Sequence, residues 1–191
     1  MKKLILASAS PRRKRLLEQI GLKFQTDPSN IDEIVDPAFH PLEQVESFSL
    51  QKAQAVAPKY NSALILAADS MVAINGEVLG KPKDKEDATR MLRRLSGTQH
   101  SIVTGFTLID TETKKSVTRS VETKVWFKKL SSEEIEAYIT KEKPFDKAGA
   151  YGIQELAAIF VEKIEGDYFG AVGLPLFALV EELKKFGIQV L

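Results

Sequence analysis

The chain has 191 residues, of which 43% are hydrophobic and 28% are charged. This size fits one globular domain or two tightly joined lobes. Cysteine is absent, which excludes disulfides and thiolate metal sites and suits a reducing compartment. The 27 Lys and Arg residues are balanced by 26 Asp and Glu, which argues against a protein whose main role is to coat nucleic acid.

The first apolar run is too short to be a targeting or membrane segment. It covers residues 4–7 and is soon followed by the basic cluster of residues 12–15, whereas a secretory signal needs about seven or more apolar residues. No run of about eighteen apolar residues, the length that spans a bilayer, occurs elsewhere. We therefore expect a cytoplasmic protein that does not contact the membrane.

The first third of the chain predicts alternating strands and helices. Ser10 and Pro11 are a capping hydroxyl and a proline suited to the first helical position, and Gly21 is a typical helix stop. The predicted elements are a strand over residues 3–7, a helix over 10–21, a strand over 22–25, an exposed loop over 26–41 and a helix to about residue 57.

The rest of the chain predicts hairpins and three further helices. Residues 63–68 are apolar, which is typical of a strand covered on both faces, and the run stops at Asp69 and Ser70. Ser131 and Glu134 form a capping box. The predicted elements are a hairpin of 71–74 with 77–79, a long hairpin of 101–110 with 116–128, and helices over 84–95, 131–141 and 175–186.

Helices and strands alternate early, while hairpins dominate the middle of the chain. This pattern predicts an α/β fold with a mixed sheet rather than a purely parallel one. No linker is long enough to separate independent domains. We therefore expect a single domain over residues 1–191, in which the hairpins and the helix after them could form a second lobe.

The loop between the first strand and helix predicts an anion site. Backbone amides and the positive end of the helix dipole converge there, and Arg12 and Arg13 add donors that match phosphate oxygens. The alternative is that both arginines belong to a solvated helix face.

Asp69 is the most informative residue, because it ends an apolar strand at the point where open α/β sheets place their ligands. It could be a metal ligand, the base that activates water, or a turn aspartate. A triphosphate needs several cations and usually Mg²⁺ held by one or two carboxylates. Together with the two arginines, Glu33, Lys52, Lys81 and Asp69 form such a set.

Other mechanisms lack their sequence signatures. There is no Walker motif, and the glycine-rich segments near 149–152 and 166–173 lack the dinucleotide fingerprint. His40 and His100 have neither metal-pair nor catalytic-triad spacing, so structural or surface roles are expected for them.

Several motifs along the chain resemble those of the Maf family, and they occur in the family's order over almost the whole length. They are Leu-Ala-Ser-Ala-Ser-Pro-Arg-Arg at 6–13, Ala-Ala-Asp-Ser at 67–70, Gly-Lys-Pro at 80–82, Leu-Ser-Gly at 95–97, Asp-Lys-Ala-Gly-Ala-Tyr-Gly-Ile-Gln at 146–154 and Val-Gly-Leu-Pro at 172–175.

The resemblance implies a nucleoside triphosphate pyrophosphatase that uses a divalent metal, Mg²⁺ or Mn²⁺, and forms a homodimer. The implied fold is an elongated, twisted mixed sheet with flanking helices, similar to inosine triphosphate pyrophosphatases. Asp69 would be the catalytic carboxylate and, with Glu33, would hold the metal. The implied substrate-binding residues are Ser8, Arg12, Arg13, Glu33, Lys52, Ser70, Lys81 and Gln154.

The segment around Gln154 resembles the subgroup that acts on dTTP and UTP, in which positions 12, 70 and 154 are associated with specificity. Ser70 stands where Thr is commoner, so the hydroxyl is kept and one methyl is lost. Gln154 is expected to pair with the edge of uracil or thymine. The alternatives are a Maf-like pyrophosphatase for modified purines or methylated GTP, or a nucleotide-binding regulator of cell division and septum formation.

Overall fold

A computed structural model describes residues 2–32, 34, 36 and 38–191. The described helices are α1 (Pro11–Gln19), α2 (Pro41–Val56), α3 (Lys85–Leu95), α4 (Ser132–Glu142), α5 (Tyr168–Val172) and α6 (Leu176–Lys185). The described strands are β1 (Lys3–Leu6), β2 (Phe24–Thr26), β3 (Ala63–Ile74), β4 (Glu77–Leu79), β5 (Gln99–Asp110), β6 (Ser116–Phe127) and β7 (Val161–Glu165).

All of the strands in the described part of the chain join one mixed sheet. Its order is β2-β1-β3-β5-β6-β7, and β4 pairs with β3 outside this path. β1 runs parallel to β2 and β3, and every other pairing is antiparallel. The parallel pairs come from the early alternation of strands and helices, and two of the antiparallel pairs, β3 with β4 and β5 with β6, are the predicted hairpins. This arrangement confirms the predicted α/β class with a mixed sheet.

The two sides of β3 pack against different layers of the protein. Ala63, Ile65 and Ala67 pack with residues of α2 in one buried cluster. Leu64, Leu66 and Ala68 point the other way, into the larger core formed with the remaining helices. Because side chains alternate along a strand, Asp69 continues the α2 face and Ser70 continues the face of the larger core.

The prediction that this strand ends at Asp69 was wrong, because β3 continues to Ile74. Its ladder with β5 pairs Asp69 with Gly105 and Ser70 with Thr104 without interruption. The apolar run stops where side chains meet a cavity, while the backbone hydrogen bonds continue. A change in side-chain polarity therefore marked a site and not a strand end.

The region between α4 and α6 contains structure that the sequence did not predict. It holds β7, the five-residue α5, and 3₁₀ turns at Ala148–Ala150 and Leu156–Phe160. These elements are too short to show a hydrophobic period. The predicted capping box before α4 is present, with Ser131 and Glu134 hydrogen-bonded to each other's backbone amides.

His100 lies in the core and predicts a pH dependence of stability. It is 1% exposed, its Nε2 lies 2.6 Å from the Tyr151 hydroxyl, and burial lowers its pKa to about 4. The unfolded chain, with a histidine pKa near ~6.5, binds more protons below that pH, so stability falls as pH drops from 6.5 towards 4. We expect the wild type to lose about 2 to 3 kcal/mol more than His100→Phe between pH 7 and 4.5.

Urea unfolding of both proteins at the two pH values measures this difference. The carboxylates titrate in both proteins, so the comparison isolates the imidazole. An equal loss in the wild type and in His100→Phe would contradict the assignment of a neutral buried histidine.

Candidate active site

A cavity of about 790 Å³ opens beside the middle of β3, within the size range of small-molecule sites. On this edge, β1 pairs with residues 63–66 and β4 with residues 72–74. The segment between them enters the cavity and presents Asp69 and Ser70 from its opposite faces. Eight of the predicted site residues line the cavity, namely Ser8, Arg12, Arg13, Lys52, Asp69, Ser70, Lys81 and Gln154. The ninth, Glu33, lies outside the described residues.

The loop before α1 is folded around the hydroxyl of Ser8. Ser8 Oγ accepts hydrogen bonds from the Ser10 amide at 3.2 Å and from Arg13 Nη1 at 3.1 Å. Ser10 in turn caps α1 by accepting from the Arg13 amide. The hydroxyl hydrogen of Ser8 can therefore be donated into the cavity, beside the positive end of a helix.

Arg13 ties three separate segments together. Besides Ser8, its Nε donates to the Gly173 carbonyl at 2.9 Å and its Nη2 donates to Ser70 Oγ at 3.2 Å. The guanidinium is therefore held in a fixed orientation in the cavity wall. The predicted phosphate-loop arginine thus also joins α1, β3 and the turn after α5.

A relay of hydroxyls fixes the orientation of Ser70. Thr104 Oγ1 lies 2.8 Å from both Ser70 Oγ and the Gly170 carbonyl. A carbonyl oxygen cannot donate, so the single hydroxyl hydrogen of Thr104 goes to Gly170 and Ser70 donates to Thr104. Ser70 therefore presents acceptor lone pairs, one of which Arg13 uses. Sequence reasoning missed Thr104, which lies 34 positions from Ser70 along the chain.

Asp69 and Lys52 form an ion pair across the α2 face of the sheet. Lys52 Nζ lies 2.5 Å from Asp69 Oδ1, and the two side chains are 14% and 16% exposed. Gly105, opposite Asp69 on β5, permits this contact. A Cβ there would lie 2.7 Å from the backbone of Val45 in α2, so only glycine lets α2 approach the sheet this closely.

The segment with Gln154 adds charges that sequence reasoning missed. Lys147 is buried and lies 2.8 Å from Asp146 Oδ1 and 3.2 Å from Glu155 Oε2. Burial lowers the pKa of Lys147, but the two carboxylates outweigh it and raise the net pKa above its ordinary value. Arg12 Nη1 lies 3.8 Å from Asp146 Oδ2, which connects this segment to α1.

The cavity carries an excess of positive charge. Among the described residues that line it, cations outnumber carboxylates by five to two. The cations are Arg12, Arg13, Lys52, Lys81 and Lys147, and the carboxylates are Asp69 and Asp146. Such a lining attracts a polyanion such as a chain of phosphates.

The lining also contains a donor suited to a hard cation. Within residues 2–32, 34, 36 and 38–191, no three His, Asp or Glu side chains cluster as a metal site. Mg²⁺ bound with a nucleotide, however, usually takes one or two protein carboxylates and completes its shell with phosphates and water. The carboxylate of Asp69 in a cationic cavity fits that mode of binding.

A shallower depression of about 570 Å³ lies along α3. It is lined by one face of that helix and contains none of the predicted site residues.

In the described part of the chain, no helix is long and apolar enough to cross a bilayer.

Comparisons with known proteins place these residues in a family. The chain is 47% identical to the dTTP/UTP pyrophosphatase of Methanosarcina barkeri, over 100% of this chain and 97% of that protein. It is 46% identical to the dTTP/UTP pyrophosphatase of Pelotomaculum thermopropionicum over the full length of both. With the protein of that name from Citrifermentans bemidjiense it shares 48% identity, over 96% of this chain and 95% of that protein.

Among solved structures, the Staphylococcus aureus Ham1 protein is similar at a TM-score of 0.47 and 16% identity, over 66% of this chain and 72% of that chain. The family model described as Maf-like protein matches residues 3–186. With that match and the full-length relatives, the chain belongs to the Maf family.

Proposed function

We propose that this protein hydrolyses dTTP and UTP to the nucleoside monophosphate and pyrophosphate. The proposal rests on the cavity at the edge of β3. Its lining carries an excess of positive charge and includes the ion pair of Lys52 and Asp69. The full-length relatives named dTTP/UTP pyrophosphatase support the same activity.

In this proposal the loop before α1 binds the phosphates. The hydroxyl of Ser8 and the amino end of α1 bind phosphate oxygens, and Arg12 and Lys81 supply further positive charge. These cations stabilise the charge that develops on the departing pyrophosphate.

Asp69 orients the water that attacks the α-phosphorus and accepts its proton. Lys52 occupies Oδ1, so we assign Oδ2 to the water. The oxygen of the water forms the new bond to the α-phosphorus. The bond from the α-phosphorus to the oxygen shared with the β-phosphate breaks, and pyrophosphate leaves with that oxygen and its bonding electrons.

We also propose that the reaction requires a divalent metal. Asp69 and Glu33 are the residues that would hold it, and the metal would neutralise charge on the phosphate oxygens. The position of Asp69 in the lining of the cavity supports this proposal.

Product analysis on a panel of nucleotides with Mg²⁺ or Mn²⁺ tests the proposal. UTP and dTTP should give UMP and dTMP with one pyrophosphate each. Formation of UDP and orthophosphate would refute cleavage after the α-phosphate. Faster turnover of modified purines or methylated GTP than of UTP would favour the alternative substrate class.

A further inference from the structure

Glu155 lies directly beside the residue expected to recognise the base. Gln154 Nε2 donates a hydrogen bond to Glu155 Oε1 at 3.1 Å. The other carboxylate oxygen of Glu155 lies 3.2 Å from Lys147 Nζ. Gln154 lines the cavity. Its side-chain amide is therefore hydrogen-bonded on one side to the ion pair of Glu155 and Lys147.

This contact fixes which way the Gln154 amide faces. An ionised carboxylate only accepts hydrogen bonds, so the amide nitrogen must face Glu155. One of the two N–H hydrogens is then used, and the amide keeps one N–H donor and one carbonyl acceptor for a ligand. The flipped amide would place its carbonyl oxygen against the carboxylate, where two acceptors repel each other.

The remaining donor and acceptor match the edge of uracil and thymine. Both bases present an N3–H donor and an O4 acceptor, which pair with a carbonyl oxygen and an N–H in the orientation that Glu155 imposes. Cytosine presents an N3 acceptor and an N4 amino donor. Cytosine would therefore need the flipped amide, and Glu155 disfavours that flip.

The surroundings of Glu155 hold it in this position. Lys147 is buried, and its Nζ lies 3.2 Å from Glu155 Oε2, so this ion pair restrains the carboxylate. Gly152 leaves the required space, because a Cβ there would lie 2.8 Å from Glu155 Oε2 and 3.2 Å from Lys147 Cε.

We infer that Glu155 is a specificity-determining positioning residue, which excludes cytosine nucleotides by locking the amide orientation of Gln154. This inference rests on the proposed function and adds to it a residue that acts on the base through Gln154.

Glu155→Gln tests the inference, because a neutral amide can donate to the flipped carbonyl of Gln154 as well as accept from its nitrogen. We expect the ratio of kcat/KM for UTP to that for CTP to fall about tenfold, the scale of one mismatched buried hydrogen bond. The change should appear chiefly as a lower KM for CTP, with kcat for UTP retained. Glu136→Gln is the matched control, because that exposed glutamate also pairs with a lysine, Lys85, at 3.0 Å but is not the hydrogen-bond partner of Gln154.

A double-mutant cycle separates positioning from a general structural role. Gln154→Ala should itself lower the ratio of kcat/KM for UTP to that for CTP, and adding Glu155→Gln to it should then lower this ratio no further.

If Glu155→Gln does not fold, Gly152→Ala offers a second route, because the new methyl displaces the carboxylate without changing its charge. The same narrowing of the UTP to CTP ratio is expected from it.

Two outcomes would overturn the inference. One is a folded Glu155→Gln protein with the same ratio of kcat/KM for UTP to that for CTP as the wild type. The other is a change in this ratio on Glu155→Gln that is equally large in the wild type and in Gln154→Ala. Failure of the proposed function looks different, because the wild type itself would then release no UMP and pyrophosphate from UTP.

Discussion

Asp69→Asn is expected to lower kcat for UTP by about a hundredfold or more while the protein still folds and binds nucleotide. The substitution preserves the shape of the side chain but removes the charge and the basicity that the attacking water requires. Losses of this size are typical when an acid or base group or a key electrostatic contact is removed. Steady-state assays of pyrophosphate release, with nucleotide binding measured separately, check the result.

Asp110→Asn provides a matched control for the loss of an ion pair. Asp110 also lies on the central sheet and pairs with a lysine at 2.5 Å, Lys2, but it does not line the cavity. We expect it to lower the unfolding temperature and leave turnover intact at temperatures where the protein is folded. Wild-type turnover in a folded Asp69→Asn protein would make Asp69 a structural residue and refute the mechanism.

Removal of divalent metal with excess EDTA is expected to abolish turnover of UTP. Three of the cations of the cavity, Arg12, Arg13 and Lys52, belong to helices. Asp69 is already paired with Lys52. Lysine and arginine neutralise phosphate charge but do not act as the Lewis acid that a divalent ion provides at the reacting phosphorus. Pyrophosphate release before and after chelation measures the effect.

Addition of Mg²⁺ or Mn²⁺ beyond the EDTA concentration should restore turnover, and circular dichroism should show the same fold throughout. Full activity in excess EDTA would remove the metal from the mechanism. Loss of the fold on chelation would instead assign the metal a structural role.

Local sequence signals predicted most of the fold. Ser10 and Pro11 mark the start of α1 and Ser131 and Glu134 the start of α4, because caps act within a few residues. The strand end at Asp69 was mispredicted because the periodic pattern reports side-chain burial and not backbone pairing. The five-residue α5 was missed because it spans little more than one turn.

The candidate site was predicted unevenly for a different reason. Asp69 and Arg12 stand out because a charged side chain that interrupts an apolar run, or that follows the start of a helix, is visible in the local sequence. Thr104 and Lys147 contact the site from chain segments that meet only in the folded protein. Glu155 is adjacent to Gln154 in sequence, so the neighbouring polar pair was a signal that could have been used.

The close approach of α2 to Gly105 has a genetic consequence. The spacing between Lys52 and Asp69 depends on a hydrogen atom at position 105, where any side chain would meet the α2 backbone within 2.7 Å. Inactivating alleles should therefore arise at a residue that has no functional group of its own. A mutational scan restricted to the polar residues of the cavity would miss this position, and suppressor mutations that restore such alleles should fall on the side of α2 that packs against the sheet.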